Sequence, residues 1–384
     1  MGSRVLMDGA GTTIGVEEEF LLVNPRTGRT VPCADRVLAR FGHNGGLPKG
    51  AIVQRELRPT QLELATGVCT SADELRPQLT TGRRLLAAAA AAEDCALVAS
   101  GTPVSLPGRG AQPEPQGRYA EIHEAYGPLA ADYEACGCHV HVGVDAPDTA
   151  VAVVNHLGPW LPVLLALSAN SPFADGRDTG YHSWRMVLQT RFPGSGVAPH
   201  FRSHAEYQST VDALVECGAL VDRDQSFWLA RPSPWLPTVE LRVADTAATV
   251  DGAVLQAVLS RGLVRTALAD LERGIEGPRL SPQVCAAAVW AAARHGLTGL
   301  LVDPRLERQR PAADLVEDLL THTAGALEEA GDLALAGSLA SRLLVDGTGS
   351  VAQRSAAAGG LRAVVRLLEE RTVPVSGHEA AAAG

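Results

Sequence analysis

Seven acids and imidazoles carry the chemistry that this chain offers. Glu17 and Glu19 lie in GVEEEF (15–20), His139 and His141 in HVHVGV (139–144), and Glu240 beside Arg242 in VELRV (239–243). Each segment reads as a strand, and strand side chains alternate between faces. Each pair therefore shares one face, while Val140, Val142, Val239, Leu241 and Val243 point the other way, into a core. Glu56 and Glu63, in two short extended runs, add further carboxylates. A sheet face of carboxylates and imidazoles is costly to bury unless a cation neutralises it. Oxygen-rich ligand sets with a few imidazoles suit Mg²⁺ or Mn²⁺. Two glutamates on one strand are equally compatible with a solvated edge. Recurrence of the pattern in three distant segments favours a site. For Glu18, which shares its face with Val16, Phe20 and Leu22, the pattern decides nothing.

Arginines accompany the acids. Arg231 and Arg242 flank Glu240, and Arg185 lies in a long irregular stretch. A guanidinium beside a metal-binding carboxylate suits phosphoryl transfer, where cations offset the charge of the moving group. Lys49 is the single lysine among 33 basic residues and sits in the Gly/Pro-rich FGHNGGLPKG (41–50). This removes a P-loop, a protein-kinase lysine and a pyridoxal Schiff base from consideration. Any phosphate handling must fall to arginines, metal ions and backbone groups.

The net charge of −10 argues against nucleic-acid partners. The apolar run Leu85–Ala92 is closed by Glu93 and Asp94 well short of a membrane span, and no signal segment is evident, so a cytoplasmic protein is expected. Seven irregularly spaced cysteines imply no disulfide framework, and most are expected to be buried small hydrophobes. Cys136-Gly137-Cys138-His139 lacks the two-residue spacing and the second cysteine pair of a zinc site.

The elements that must position these groups can be traced along the chain. Residues 1–12 are expected to be a flexible leader, with Met1-Gly2-Ser3 an expression scar. Strands are expected at 13–24, closed by the turn Asn24–Gly28, and at 52–58, 61–66, 137–145, 226–230 and 238–244. Helices are expected over 71–99 (opened by Ser71-Ala72-Asp73-Glu74), 118–136, 149–169 (kinked by Pro159 and Pro162), 204–216, 249–273, 281–295, 311–330, 333–345 and 350–371. The stretches 101–117 and 170–199 read as loops. One-sided polarity with helices between strands indicates an α+β fold, an antiparallel sheet with helices on its outer face. The whole chain, 1–384, reads as one catalytic domain: a sheet-rich core over 13–248 and a helical part over 249–384 packed on the sheet.

GVEEEF, LELATGVC (62–69), CHVHVG (138–143), SANSPF (168–173), DTGYHSWR (178–185) and RPSPWLPTVELRVADT (231–246) occur in the order that resembles the second bacterial type of glutamate–cysteine ligase, the carboxylate–amine ligases. DGTGSVAQR (346–354) looks like that family's C-terminal signature. The resemblance covers about residues 13–270 and implies a site plan similar to glutamine synthetase, in a sheet curved into a funnel. It implies one metal held by Glu19, Glu56 and Glu63 and another by Glu17, His139 and Glu240. His141, Arg231 and Arg242 would face the phosphates of ATP, and Arg185 the substrate carboxylate. The implied reaction is ATP-dependent amide formation through an acyl phosphate, with Mg²⁺ or Mn²⁺ and small carboxylate and amine substrates, for example γ-glutamyl transfer in small-molecule biosynthesis. A metal-dependent amide hydrolase and a noncatalytic nucleotide- or metabolite-binding homologue are the competing readings. Ala/Leu-rich helices are compatible with a homodimer. One departure stands out: many relatives carry Gly-Thr-His-Pro where this chain has Gly101-Thr102-Pro103-Val104, followed by a loop rich in Pro and Gly.

Overall fold

A computed structural model describes residues 9–41, 46–105 and 117–373. Its centre is β1 (Ile14–Val23), which pairs with β3 (Gln61–Ala65), β4 (Ala96–Val98) and β5 (Gly137–Gly143). β2 (Ile52–Arg55) extends the sheet beyond β3. A hairpin, β6 (Phe173–Ala174) with β7 (Arg177–Asp178), stands apart. β8 (Ala230–Pro232) and β9 (Thr238–Asp245) complete the seven-stranded order β2-β3-β1-β5-β9-β8, with β4 alongside β1 and every pairing antiparallel. A register shift between Cys138 and Val140 interrupts the β5–β9 ladder. Such a bulge bends the strand and re-aims its side chains. A second small sheet joins β10 (Leu300–Asp303) to β11 (Arg308–Pro311).

The helices are α1 (Ala34–Phe41), α2 (Ala72–Ala91), α3 (Arg118–Tyr126), α4 (Pro128–Ala131), α5 (Pro147–Leu157), α6 (Leu161–Ser168), α7 (Trp184–Gln189), α8 (His204–Glu216), α9 (Val250–Glu272), α10 (Pro282–His295), α11 (Ala312–Glu329), α12 (Leu333–Asp346), α13 (Gly349–Ala356) and α14 (Leu361–Thr372). Val16, Val140, Val142, Val239, Leu241 and Val243 are buried against the apolar faces of α5, α6 and α9. Helix α9 packs on β1 and β5, and α11 and α12 pack on α9. No single helix among the described residues is long and apolar enough to cross a membrane.

Several expected boundaries differ, each for a local reason. The helix expected over 71–99 starts at its predicted cap, where Ser71 Oγ accepts the Glu74 N–H, but stops at Ala91. Asp94 turns the chain at φ 56°, and Ala96–Val98 leaves as β4. The 118–136 helix breaks at Gly127, whose φ of 52° and following Pro128 end one turn and start another. The kinked helix is two helices bent by 68°. The 170–199 loop contains a hairpin and α7. The strand expected at 226–230 is β8, shifted to Ala230–Pro232, and the 350–371 helix splits at Gly359-Gly360. Part of the leader is ordered: the Gly11 N–H donates to the Gly143 carbonyl, while residues 1–8 lie outside the described residues, as do 106–116 of the expected loop. Six cysteines are buried and Cys217 is exposed.

Beneath the sheet, Glu18 meets Arg83 of α2, and both side chains are wholly buried. Arg83 Nε donates to Glu18 Oε2 at 3.0 Å, and its Nη atoms reach the carbonyls of Ala247 and Thr372. One guanidinium therefore joins β1, α2, the start of the helical third and α14. Arg83→Met is expected to cost about 3–5 kcal/mol in denaturant unfolding, because it strands a buried carboxylate. Adding Glu18→Leu should recover most of the loss. A cost for the single variant within about 0.5 kcal/mol, as for an ordinary surface substitution, would sink this account.

His182 is buried, with Nδ1 2.7 Å from Ser350 Oγ. Burial, helped by the charge of Arg354, pushes its pKa down from 6.5 to about 4. The fold thus requires the neutral ring, whereas the unfolded chain binds a proton below about pH 6.5. The stability from this site is complete above pH 6.5 and is lost as pH falls toward 4, by up to ~3 kcal/mol. His182→Gln should flatten the stability-versus-pH curve between pH 4 and 6.5. Parallel curves for the two proteins would contradict the assignment.

Candidate functional site

The register of the sheet lines up the polar face. Glu17 lies opposite His139, Glu19 opposite Glu63, and His141 opposite Glu240, which in turn faces Arg231 on β8. Glu56 follows the last residue of β2 and joins the same floor. Two clusters result. Ligand atoms of Glu19, Glu56 and Glu63 lie within 4.8 Å of one another, and so do those of Glu17, His141 and Glu240. The first matches a set expected from the resemblance. In the second, His141 occupies the place expected of His139, because the β5–β9 register puts Glu240 opposite His141. His139 stands between the clusters, 3.4 Å from Glu17, 3.8 Å from Glu19 and 3.9 Å from Glu240.

His141 is oriented by its second nitrogen. Nδ1 lies 2.9 Å from Thr238 Oγ1, which leaves the buried Nε2 without a hydrogen-bond partner, 3.3 Å from Glu17 Oε1. A ring held through one nitrogen with the other free toward carboxylates suits metal ligation. The first cluster makes the same demand through its charge. Burial and then the neighbouring Glu19 raise the Glu56 pKa to about 8, while burial together with Glu17, Glu56 and Glu19 raises that of Glu63 to about 9. Local donors are few: Gln54 Nε2 reaches Glu63 Oε1 at 2.7 Å, and the Gly137 N–H reaches Glu19 Oε2 at 2.6 Å. Residues and chemistry thus fit hard divalent cations.

The other carboxylates are held charged. Burial disfavours the ionised Glu17, but the hydrogen bond with His139 and the proximity of both imidazoles outweigh it and lower its pKa. Glu240 is also buried, yet Arg242, Arg231 and the histidines hold it well below the usual carboxylate range. Arg231 Nε donates to Glu240 Oε2 at 2.8 Å, and Arg242 pairs with Oε1. Arg242 is held above its usual pKa by Glu240, against the opposing effect of burial.

Arg185, on α7, is 3% exposed. It enters the same cavity of about 270 Å³ as Glu19, Glu56, His139, Arg231 and Arg242. The opposite wall carries residues that the sequence did not single out, among them Tyr133, Gln189, Phe192 and Phe227. Tyr133 Oη lies 2.5 Å from Gln189 Oε1. Their segments read as helix, as loop or, for Phe227, as a short strand, and nothing local marked them. Gly137 left a fainter signal, a glycine inside a strand pattern. A Cβ there would stand 2.4 Å from Arg185 Nη2 and 3.0 Å from His139 Nε2.

An antiparallel sheet with this carboxylate- and arginine-rich face suits an ATP-dependent ligase of the carboxylate–amine class. A model of glutamate–cysteine ligase family 2 (GCS2) matches residues 13–366, and the chain belongs to that family. A provisionally named glutamate–cysteine ligase 2-2 of Saccharopolyspora erythraea is 53% identical over 365 residues, covering 95% of this chain and 93% of the relative. A provisionally named glutamate–cysteine ligase 2 of Salinispora arenicola is 44% identical over 373 residues, covering 96% and 97%. Among solved structures, glutamate–cysteine ligase of Francisella tularensis, in complex with AMP, matches with a TM-score of 0.65 at 14% identity over 96% of this chain and 89% of that one. A bifunctional glutathione synthetase of Pasteurella multocida matches with a TM-score of 0.63 at 15% identity, over 94% and 52%. These two likenesses show the fold.

Glu63→Gln tests the first cluster without touching the second. It should leave the metal-free protein as stable as wild type or more so, since it removes a crowded carboxyl. It should weaken Mn²⁺ binding at that cluster, measured by electron paramagnetic resonance, by at least the ~10–100-fold that losing a second-shell partner costs. Unchanged Mn²⁺ affinity would remove Glu63 from the ligand set.

Proposed function

We propose that this ligase activates a carboxylate as an acyl phosphate and passes the acyl group to an amine, with γ-glutamyl amide formation in small-molecule biosynthesis as the reaction. The observation that carries the reading is the pair of ligand clusters on one sheet face, ringed by Arg185, Arg231 and Arg242. A substrate carboxylate oxygen attacks the γ-phosphorus of ATP and ADP leaves. The amine nitrogen then attacks the acyl carbon, and phosphate leaves with the former carboxylate oxygen.

Glu19, Glu56 and Glu63 would hold one divalent cation, and Glu17, His141 and Glu240, with His139 adjacent, a second. When bound, such cations supply charge neutralisation for the phosphates. Arg231 and Arg242 place positive charge beside that floor without a lysine, and Arg185 holds a substrate carboxylate. The AMP held by the Francisella protein supports a nucleotide in a fold of this kind. We take the chain as one catalytic unit and, since ATP is its co-substrate, as cytoplasmic.

ADP release, followed with Mg²⁺ and ATP over a panel of amino acids and amines that includes L-glutamate and L-cysteine, should require both a carboxylic acid and an amine. Glu240→Ala should lower that turnover by on the order of a hundredfold or more while the fold is retained. Protein that neither consumes nor binds ATP across the panel would refute the proposal. Tight ATP binding without turnover would indicate a binding homologue, and amide cleavage without ATP a hydrolase.

A further inference from the structure

Asp245 closes β9, and its side chain is wholly buried. Three donors converge on the carboxylate: the Asn170 N–H at 2.9 Å and Ser171 Oγ at 2.7 Å on Oδ2, and Ser183 Oγ at 2.7 Å on Oδ1. Arg185 Nη1 stands 4.0 Å from Oδ1. Both hydroxyls then reach α7. Ser171 Oγ accepts the Arg185 N–H at 3.1 Å, and Ser183 Oγ accepts the Met186 N–H at 3.2 Å, capping the helix. Asn170 is gripped from behind by Gln353 of α13, whose Nε2 donates to the Asn170 carbonyl and side chain at 2.9 and 2.8 Å. Three of the motifs that resemble the family, SANSPF, DTGYHSWR and RPSPWLPTVELRVADT, thus meet at one carboxylate, and the fourth, DGTGSVAQR, joins them through Asn170.

The other end of this network is the cavity. Arg185 Nη2 and Nη1 donate to the carbonyls of Arg242 and Val243 at 3.1 and 3.4 Å. Gly137 allows the close approach of the guanidinium, and Gly101 does the same for Asp245, since a Cβ at Gly101 would stand 2.8 Å from Asp245 Cγ. Arg185 Nε is buried and unpartnered. A fixed guanidinium that lines the proposed substrate cavity suits an anionic ligand.

We propose that Asp245 is a positioning residue: it fixes the start of α7 so that Arg185 receives the substrate carboxylate in one orientation. The inference rests on the carboxylate–amine ligase reading. A carboxylate suits the hub because three hydrogen-bond donors and a cation face it, whereas an amide would turn an N–H₂ group toward a donor.

The test is a double-mutant cycle on the full chain, with the carboxylate–amine pair that gives the fastest ADP release. D245N, S171A, R185A and the doubles D245N/R185A and S171A/R185A are compared by KM for the carboxylate and KM for ATP. D245N and S171A should each raise KM for the carboxylate between about tenfold and about a hundredfold, the scale of a small misplacement, with KM for ATP within about twofold of wild type. In the R185A background both substitutions should add nothing. S171A, which removes one hydroxyl, decides the matter if D245N does not fold. Effects that multiply with R185A, an equal rise in KM for ATP, or wild-type KM in both single variants would overturn the proposal. Should wild type release no ADP with any pair, the ligase reading fails, and calorimetric Kd values for L-glutamate in the same cycle judge the positioning role separately.

Discussion

Burying a row of acids and imidazoles on one face of a sheet whose other face is core is the constraint from which the rest of the structure follows. β1 cannot move its carboxylates away: a one-residue slip would carry Glu17 and Glu19 into the helices and Val16 and Phe20 into the site. The sheet answers with cross-strand pairs that are compensated in two ways. On the β8–β9 side, Arg231 and Arg242 close on Glu240 and keep it ionised. On the β2–β3 side, Glu19, Glu56 and Glu63 meet few donors, and burial beside neighbouring carboxylates raises the pKa of Glu56 and of Glu63. On the first side the carboxylate is compensated by guanidinium groups as it stands, and on the second the carboxylates are compensated by taking up protons or cations.

This division also sorts the arginines. Two are committed to a carboxylate on the floor, whereas Arg185 arrives on a short helix anchored by Asp245 and lines the cavity. With a single lysine, in the 41–50 loop, the chain's fixed positive charge in the site is guanidinium. Planar and permanently charged, such groups favour binding and orientation over proton transfer.

Much of this floor was legible from residue type and period. A strand that alternates Glu or His with Val announces both its polar face and its core face, so β1, β5 and β9 were placed nearly residue for residue. Sequence spacing did not say which histidine joins which acids. That depends on the bulge between Cys138 and Val140, which fixes His141 opposite Glu240 and leaves His139 between the clusters. Glu18 was undecidable because its partner, Arg83, lies 65 residues away on a helix with three arginines, none of which the sequence marks as buried. Asp245 escaped notice for the same reason. Its donors come from two separate segments, and a lone Asp at a strand end has no signature. Short elements such as β4 and α7 were missed because tertiary pairing and a two-bond cap, not period, define them.

The central claim is that the polar face is a floor for divalent cations beneath ATP. Anomalous diffraction from crystals grown with Mn²⁺ and a non-hydrolysable ATP analogue tests it most directly. The account predicts manganese peaks bounded by Glu19, Glu56 and Glu63 and by Glu17, His141 and Glu240, with the phosphates toward Arg231 and Arg242. Nucleotide bound with no manganese at either cluster, or manganese bound only elsewhere, would contradict it.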